Sequence, residues 1–218
     1  TGKPVICFGI YIVKKKDECT QFNLSQRINQ MIKSARHCSK MNLTLYGRVH
    51  VIKSFILSKI VYPVSLLSVP IDIIKQVNDI VHSFLWNGKR DKIKRTAVIN
   101  DICNGGINMI HIESFFAALK AAWVPRIIKA EGKWSSLFQH CAKELSLPCH
   151  YLWQTSFRKI ESFPAIKVFT QFYQDVILAY NQSKYIKPFD MLSKYEVIEQ
   201  PIWGNEYFRI RDICLFYK

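Results

Sequence analysis

LTLYGRVHVIKSFILSKIVYPVSLL, residues 43 to 67, decides the fold. Leu45, Val49, Ile52, Ile56 and Ile60 recur at the spacing of one helical face. The pattern predicts an amphipathic helix that begins at Leu43 or Thr44 and breaks at Pro63. Gly47 and Arg48 near its start are both unfavourable there. Glycine costs about 1 kcal/mol relative to alanine inside a helix. A cation near a helix N-terminus opposes the macrodipole by roughly 0.3–1 kcal/mol. A helix that keeps both in adjacent positions has a use for them.

The flanking segments read mostly as further helices. On the N-terminal side, Val5 to Val13 is β-branched and aromatic, with Gly9 in the middle, and predicts one strand. Lys14, Lys15 and Lys16 follow it. Asn23 is placed to start a helix, with Gln26 completing a capping box. Leu24, Ile28, Met31, Ile32, Ala35 and Cys38 then form one apolar side, and Lys33, Arg36 and Lys40 gather on the other.

On the C-terminal side, Asp72 is the expected cap of a helix striped with Ile73, Ile74, Val77, Ile80, Val81, Phe84 and Leu85. That helix is expected to end at Trp86-Asn87-Gly88, with Gly88 as the left-handed residue after it. GKRDKIKR holds five cations and one acid. A Gly105-Gly106 turn follows, then a helical run from Ser114 to Ala130 bent by Pro125. Trp134 to Leu145, Ala165 to Tyr180 and Phe189 to Val197 are further helix candidates. The fold class expected is mainly α: a short N-terminal β-strand, then a helical bundle and further helices. A composition shift near residue 133 suggests a second subdomain.

The chain has 218 residues, 49% of them hydrophobic, which suits a packed core rather than disorder. Its 31 Lys and Arg against 16 Asp and Glu give a net charge of +15. Such an excess points to a polyanionic partner, nucleic acid first. The most apolar run, Ile60 to Ile71, is broken by Pro63 and Pro70 and falls short of the roughly 20 residues of a membrane span. The chain starts without Met, as a fragment would.

Seven cysteines, an odd number without any CxxC, argue against a disulfide framework or a zinc ribbon. They indicate a reduced, intracellular protein. His140, Cys141, Cys149 and His150 lack the spacing of a metal site, so no metal ligand is assigned.

Catalytic residues are not assigned either. Nucleotidyl transfer needs carboxylates that hold two divalent ions roughly 4 Å apart. The one adjacent acidic pair, Asp17-Glu18, lies in a lysine-flanked polar turn. No P-loop occurs, and Gly105-Gly106-Ile107-Asn108 does not make one. On its residues this chain is not a complete enzyme. It does carry basic helices. Arg36 and Lys40 are spaced i, i+4, and Arg48 and Lys59 fall close together in helical projection, as contacts along one sugar–phosphate strand would.

The order of landmarks resembles the end of a LINE-type, non-LTR retrotransposon reverse transcriptase. CFGIYI at 7–12 is similar to the family's Phe-Leu-Gly primer-grip strand at the edge of the palm, with Cys7 and Phe8 in place of Phe-Leu. LTLYGRVHVIKSFILSKIVYP resembles its Leu-Ser-x-x-Gly-Arg-x-x-x-Ile-Lys thumb helix, with Thr44 for Ser. FLWNGKRDKIKR is similar to its Phe-Ile/Leu-Trp-Asn ending and basic tail. NGGINMIHIESFFAALKAAW resembles its Gly-Gly-Leu-x-Leu-x-Asp segment, with His111 where Asp is usual. PIWGN at 201–205 is similar to a later motif of some of these elements. The likeness is good over roughly residues 5 to 135 and loose beyond.

The resemblance implies four segments: a last palm strand (1–17), a helical thumb with basic tail (18–95), a Gly-Gly segment and helix (96–133) and a truncated helical connecting region (134–218). It implies a fragment of an RNA-directed DNA polymerase that grips the template–primer duplex. The catalytic palm and its Mg2+ would lie upstream. Phe8 and Gly9 would support the primer end, and Gly47 would admit a close backbone. Arg36, Lys40, Arg48, Lys53 and Lys59 would meet duplex phosphates. Lys89, Arg90, Lys92, Lys94 and Arg95 would meet template RNA or target DNA. Trp86, Gly105 and Gly106 would be structural, and Trp123 a packing residue. Partners would be RNA template, DNA primer or target and the rest of the polyprotein, with no membrane. The location would be a cytoplasmic ribonucleoprotein and the nucleus. The alternatives are a non-enzymatic basic helical nucleic-acid-binding protein and a decayed element product.

Overall fold

The computed structural model describes residues 5–12, 16–129, 132–144, 151–154 and 164–183. The chain is mainly helical, with a two-stranded antiparallel sheet at its start, and forms two compact units, Thr1–Leu119 and Lys120–Lys218. The division comes before the composition shift near residue 133, because Phe116 belongs to the first core and Val124 and Ile127 to the second.

In the first unit, the single strand expected from Val5 to Val13 is a hairpin. β1 (Val5–Cys7) pairs with β2 (Ile10–Ile12), Cys7 opposite Ile10 and Val5 opposite Ile12. Phe8 (φ 48°) and Gly9 (φ 77°) make the two-residue turn, both left-handed. That backbone is natural for glycine and costs roughly 1–2 kcal/mol for a residue such as Phe8.

Helix α1 (Lys16–Ser39) begins before Asn23, so Asn23 is not its cap. Asn23 is 3% exposed, and its carboxamide binds the hairpin backbone instead. Its Oδ1 accepts the Tyr11 amide at 2.9 Å, and its Nδ2 donates to the Tyr11 carbonyl at 2.8 Å. One side chain thus serves β2 as a neighbouring strand would. Leu24, Ile28, Met31 and Cys38 of α1 are buried as the periodicity requires.

α2 (Leu45–Val51) is capped by Thr44, whose hydroxyl accepts the Gly47 amide at 3.2 Å. The helix does not break at Pro63. It widens earlier, in one π turn at Ile52–Ile56, where the Leu57 amide donates to the Ile52 carbonyl at 2.9 Å. α3 (Ser58–Leu66) then leaves at 47° with Pro63 inside it. A proline needs room at the carbonyl four residues back. For Pro63 that is Lys59, the second residue of α3, beside the bend. The wide turn also explains why adjacent Ile56 and Leu57 are both fully buried.

α4 (Ile71–Leu85) is entered through Pro70 in an extended conformation, so Asp72 lies inside the first turn rather than at the cap. There its charge still favours the helix N-terminus. At the other end Asn87 (φ 55°), not Gly88, is the first left-handed residue. The Gly88 amide donates to the Ser83 carbonyl at 2.7 Å and the Asn87 amide to the Phe84 carbonyl at 3.2 Å. This Schellman pair closes the helix. Val77, Val81, Phe84, Leu85 and Trp86 pack with α1 to α3 in one core.

α5 (Arg95–Ile99) leads into the Gly-Gly turn, where the Asn108 amide donates to the Asn100 carbonyl at 2.9 Å. Gly105 is left-handed (φ 75°), and a Cβ on Gly106 would lie 2.0 Å from the Asn100 oxygen. Only glycine permits that approach. His111 stands at the N-terminus of α6 (Ile112–Ala121), its Nδ1 accepting the Ser114 amide at 3.3 Å. The imidazole thus takes the place of a capping carboxylate.

The second unit packs α7 (Val124–Ile128), α8 (Lys133–Ala142), α9 (Tyr151–Gln154), a 3-10 turn at Pro164–Val168 and α10 (Gln171–Ser183). Its core is aromatic, with Phe138 stacked on Phe169 at 4.8 Å and edge-on to Tyr173 at 5.2 Å. Trp123 packs edge-to-face with Trp134 and Phe172. The helix candidate at 189–197 and the PIWGN motif lie outside the described residues.

Candidate nucleic-acid interface

The cations singled out by sequence fall into three groups in the first unit. Arg36 and Lys40 are exposed at the C-terminal end of α1, with Lys33 one turn earlier. Lys53 is exposed on the wide turn. Lys89, Arg90, Lys92 and Lys94 are exposed on the loop between α4 and α5. None of these is shown in an ion pair with a described acid.

The remaining three cations are engaged within the protein. Arg48 is 9% exposed; its Nη1 donates to the Phe84 carbonyl at 2.8 Å, and the guanidinium lies 5.3 Å from the Phe84 ring centre. It therefore faces the C-terminal end of α4 through the Phe84 carbonyl. This resolves the oddity of a cation early in α2: the charge serves the end of another helix, where the dipole favours it. Lys59 is half-buried, its ammonium 4.5 Å from the Phe55 ring centre. The extra residue of the π turn and the 47° bend take it out of line with Arg48. Arg95 donates from Nε to Asp91 at 2.8 Å and approaches Asp79 at 3.3 Å. The Asp91 hydrogen bond raises its pKa above the usual value.

That ion-pair group pins the basic loop to α4. Beneath it His82 is 5% exposed, with Nδ1 3.9 Å from Asp91 and without a hydrogen-bond partner among the described residues. Burial lowers its pKa, and the Arg95 charge adds to the effect, against the opposing pull of Asp91 and Asp79. Burial thus favours the neutral form of the His82 imidazole.

Gly47 meets no neighbouring helix. The nearest atoms to a Cβ there would be the Thr44 hydroxyl at 3.3 Å and Leu43 at 3.7 Å. Its local role is to leave the capping hydroxyl undisturbed, and its half-exposed backbone remains open on the outer side. Trp86 is 7% exposed, and its buried Nε1 finds no partner among the described residues.

Phe8 is 89% exposed at the hairpin tip, beside Gly9. The Tyr62 hydroxyl on α3 donates to the Phe8 carbonyl at 2.9 Å. Sequence reasoning missed Tyr62 and gave Asn23 a capping role; together they fix the hairpin to the helices. Their contacts span 54 and 12 positions, and no local pattern encodes them.

Among the described residues no group of three or more His, Cys, Asp or Glu side chains is placed to hold a metal. Cys149 and His150 lie outside them. The described cysteines are free. Among the described residues no single helix is long and apolar enough to cross a membrane. No protein-family model matches the chain.

Proposed function

We propose that this chain is the primer-grip and thumb portion of a non-LTR retrotransposon reverse transcriptase, gripping the RNA template and DNA primer for a palm encoded upstream. The observation that carries the reading is the docking of the hairpin. A near-fully exposed Phe8 is tied through its carbonyl to Tyr62, and β2 is tied to α1 through Asn23. A tip fixed this way to cation-bearing helices suits a device that holds a strand end against a duplex. The exposed cations at Arg36, Lys40, Lys53, Lys89, Arg90, Lys92 and Lys94 support the same reading, each offering a sequence-blind phosphate contact.

In this reading RNA-directed DNA synthesis, with its magnesium ions, belongs to palm carboxylates outside these residues. The partners are the template, the primer or target, and the remainder of the polyprotein, in a cytoplasmic ribonucleoprotein and the nucleus. The test is the salt dependence of RNA–DNA primer–template binding by the chain. Replacing Arg36, Lys40 and Lys53 with Gln is expected to flatten the slope of log K against log salt by roughly 0.9 for each phosphate no longer neutralised. A chain that binds no primer–template at low ionic strength refutes the proposal.

A further inference from the structure

Between α1 and α4 the first unit has an open groove of about 400 Å3. It is lined by Ile32, Ala35, Ile80 and Phe84, together with Arg36. Ser83 and Asn87 also border it, and neither side chain is engaged with another described residue. An open slot of apolar residues edged by a hydroxyl, a carboxamide and a guanidinium is large enough for one small planar group.

The charge around the groove selects the ligand. Two helix C-termini end here, and each carries the equivalent of roughly half a negative charge. Against them stand the full charge of Arg36 in the lining and, next in sequence to lining residues, those of Lys40 after Ser39 and of Lys89 and Arg90 after Gly88. Arg48 further offsets the α4 end through the Phe84 carbonyl. The nearby acids Asp79 and Asp91 are both engaged by Arg95. The rim is therefore positive beyond what the helix ends require, over an apolar floor.

We infer that this groove seats one unpaired base of a single-stranded nucleic acid, with the adjoining phosphates on Arg36 and Lys40. The inference rests on the nucleic-acid-binding reading and adds to it a site for a base rather than a backbone. The apolar walls take the base, while Ser83 and Asn87 meet its polar edge and Arg36 its phosphate. No step of chemistry is implied, only binding.

The test uses the full chain and short single-stranded oligonucleotides, RNA and DNA in separate arms. Each is offered with its bases present or with abasic sugars of the same charge. Seating of a base predicts binding at least about fivefold tighter with bases than without, in one arm or both. Ser83→Trp, at an exposed position bordering the groove, is expected to remove that difference. Arg36→Gln is expected to weaken both forms and lower the single-strand salt slope by about 0.7, keeping the preference for bases. Photocrosslinking of a thiouridine-containing oligonucleotide to the unmodified chain gives a reading that does not depend on any variant. Crosslinks in 32–39 and 80–88 support the site, and crosslinks confined elsewhere overturn it. Equal binding with and without bases in both arms also overturns it. If primer–template is bound but bases make no difference, the groove inference fails alone. If neither is bound, the functional reading fails with it.

Discussion

Arg48→Met separates an internal role for this cation from a phosphate contact. The wild-type guanidinium makes a charge-assisted hydrogen bond to the Phe84 carbonyl at 2.8 Å, lies over the Phe84 ring and neutralises the end of α4. A hydrogen bond to a charged group contributes about 1.5–3 kcal/mol net. The ring contact contributes up to about 2 when desolvated. The dipole interaction contributes up to about 2 when partly buried. These belong to one group and do not add. Methionine refills much of the volume, and the Phe84 carbonyl keeps the Asn87 amide at 3.2 Å. The expected loss is therefore about 2–3 kcal/mol. Urea unfolding followed by far-ultraviolet circular dichroism reads it as a midpoint lower by roughly 0.7–3 M, for a slope of 1–3 kcal/mol/M. Amide exchange at residues 84–88 should accelerate in parallel. Arg48→Lys keeps the charge without the planar fork and is expected to fall between the two. Unchanged stability, together with a primer–template salt slope lowered by about 0.9, would show that the side chain reaches a phosphate and that its buried placement is wrong.

Gly106→Ala should destabilise the first unit by about 3 kcal/mol or more, because the added carbon meets the backbone oxygen of Asn100 and not a movable side chain. Gly105→Ala, with open space around it and φ at 75°, should cost only about 1–2 kcal/mol, and denaturation midpoints check the order. Asn23→Leu should leave α1 folded but strip amide-exchange protection from Tyr11, whose amide loses its acceptor. Protection retained there would show that the hairpin stands without this clamp. Lys120, 6% exposed, has its pKa lowered by burial from 10.5 to about 8, against the pull of Asp175. Between those values the unfolded chain binds more protons, so stability of the second unit should climb from pH 8 to 10.5 by on the order of 3 kcal/mol. Lys120→Met should abolish that climb in pH-dependent thermal unfolding.

Helical periodicity made the mainly helical class legible. The apolar stripes of α1 and α4 lie in one core, and Thr44 caps α2. Local chemistry failed wherever a distant partner decided the outcome. Asn23 has the composition of a cap, but Tyr11 recruits its carboxamide into the sheet. Pro63 has the composition of a breaker, but a turn already widened by Ile52–Ile56 accommodates it. In the candidate interface, charge alone could not tell a solvated cation from an engaged one. Arg36 and Lys40 remain on the surface, whereas Arg48 and Arg95 look equivalent in sequence and are taken up by Phe84 and by Asp79 and Asp91. The groove between α1 and α4 joins residues some fifty positions apart, and no spacing rule reveals it.

The surplus residue held in the π turn has an effect felt at the other end of the chain. Removing one residue between 52 and 56 would heal the turn into a regular helix and straighten the 47° bend into α3. Tyr62 would be carried away with α3 and its hydroxyl would lose the Phe8 carbonyl. The hairpin tip would then be left without its tether. A single-residue deletion that improves the regularity of this helix would thus disconnect it from the first strands, so the irregularity sets the aim of a loop more than forty residues upstream.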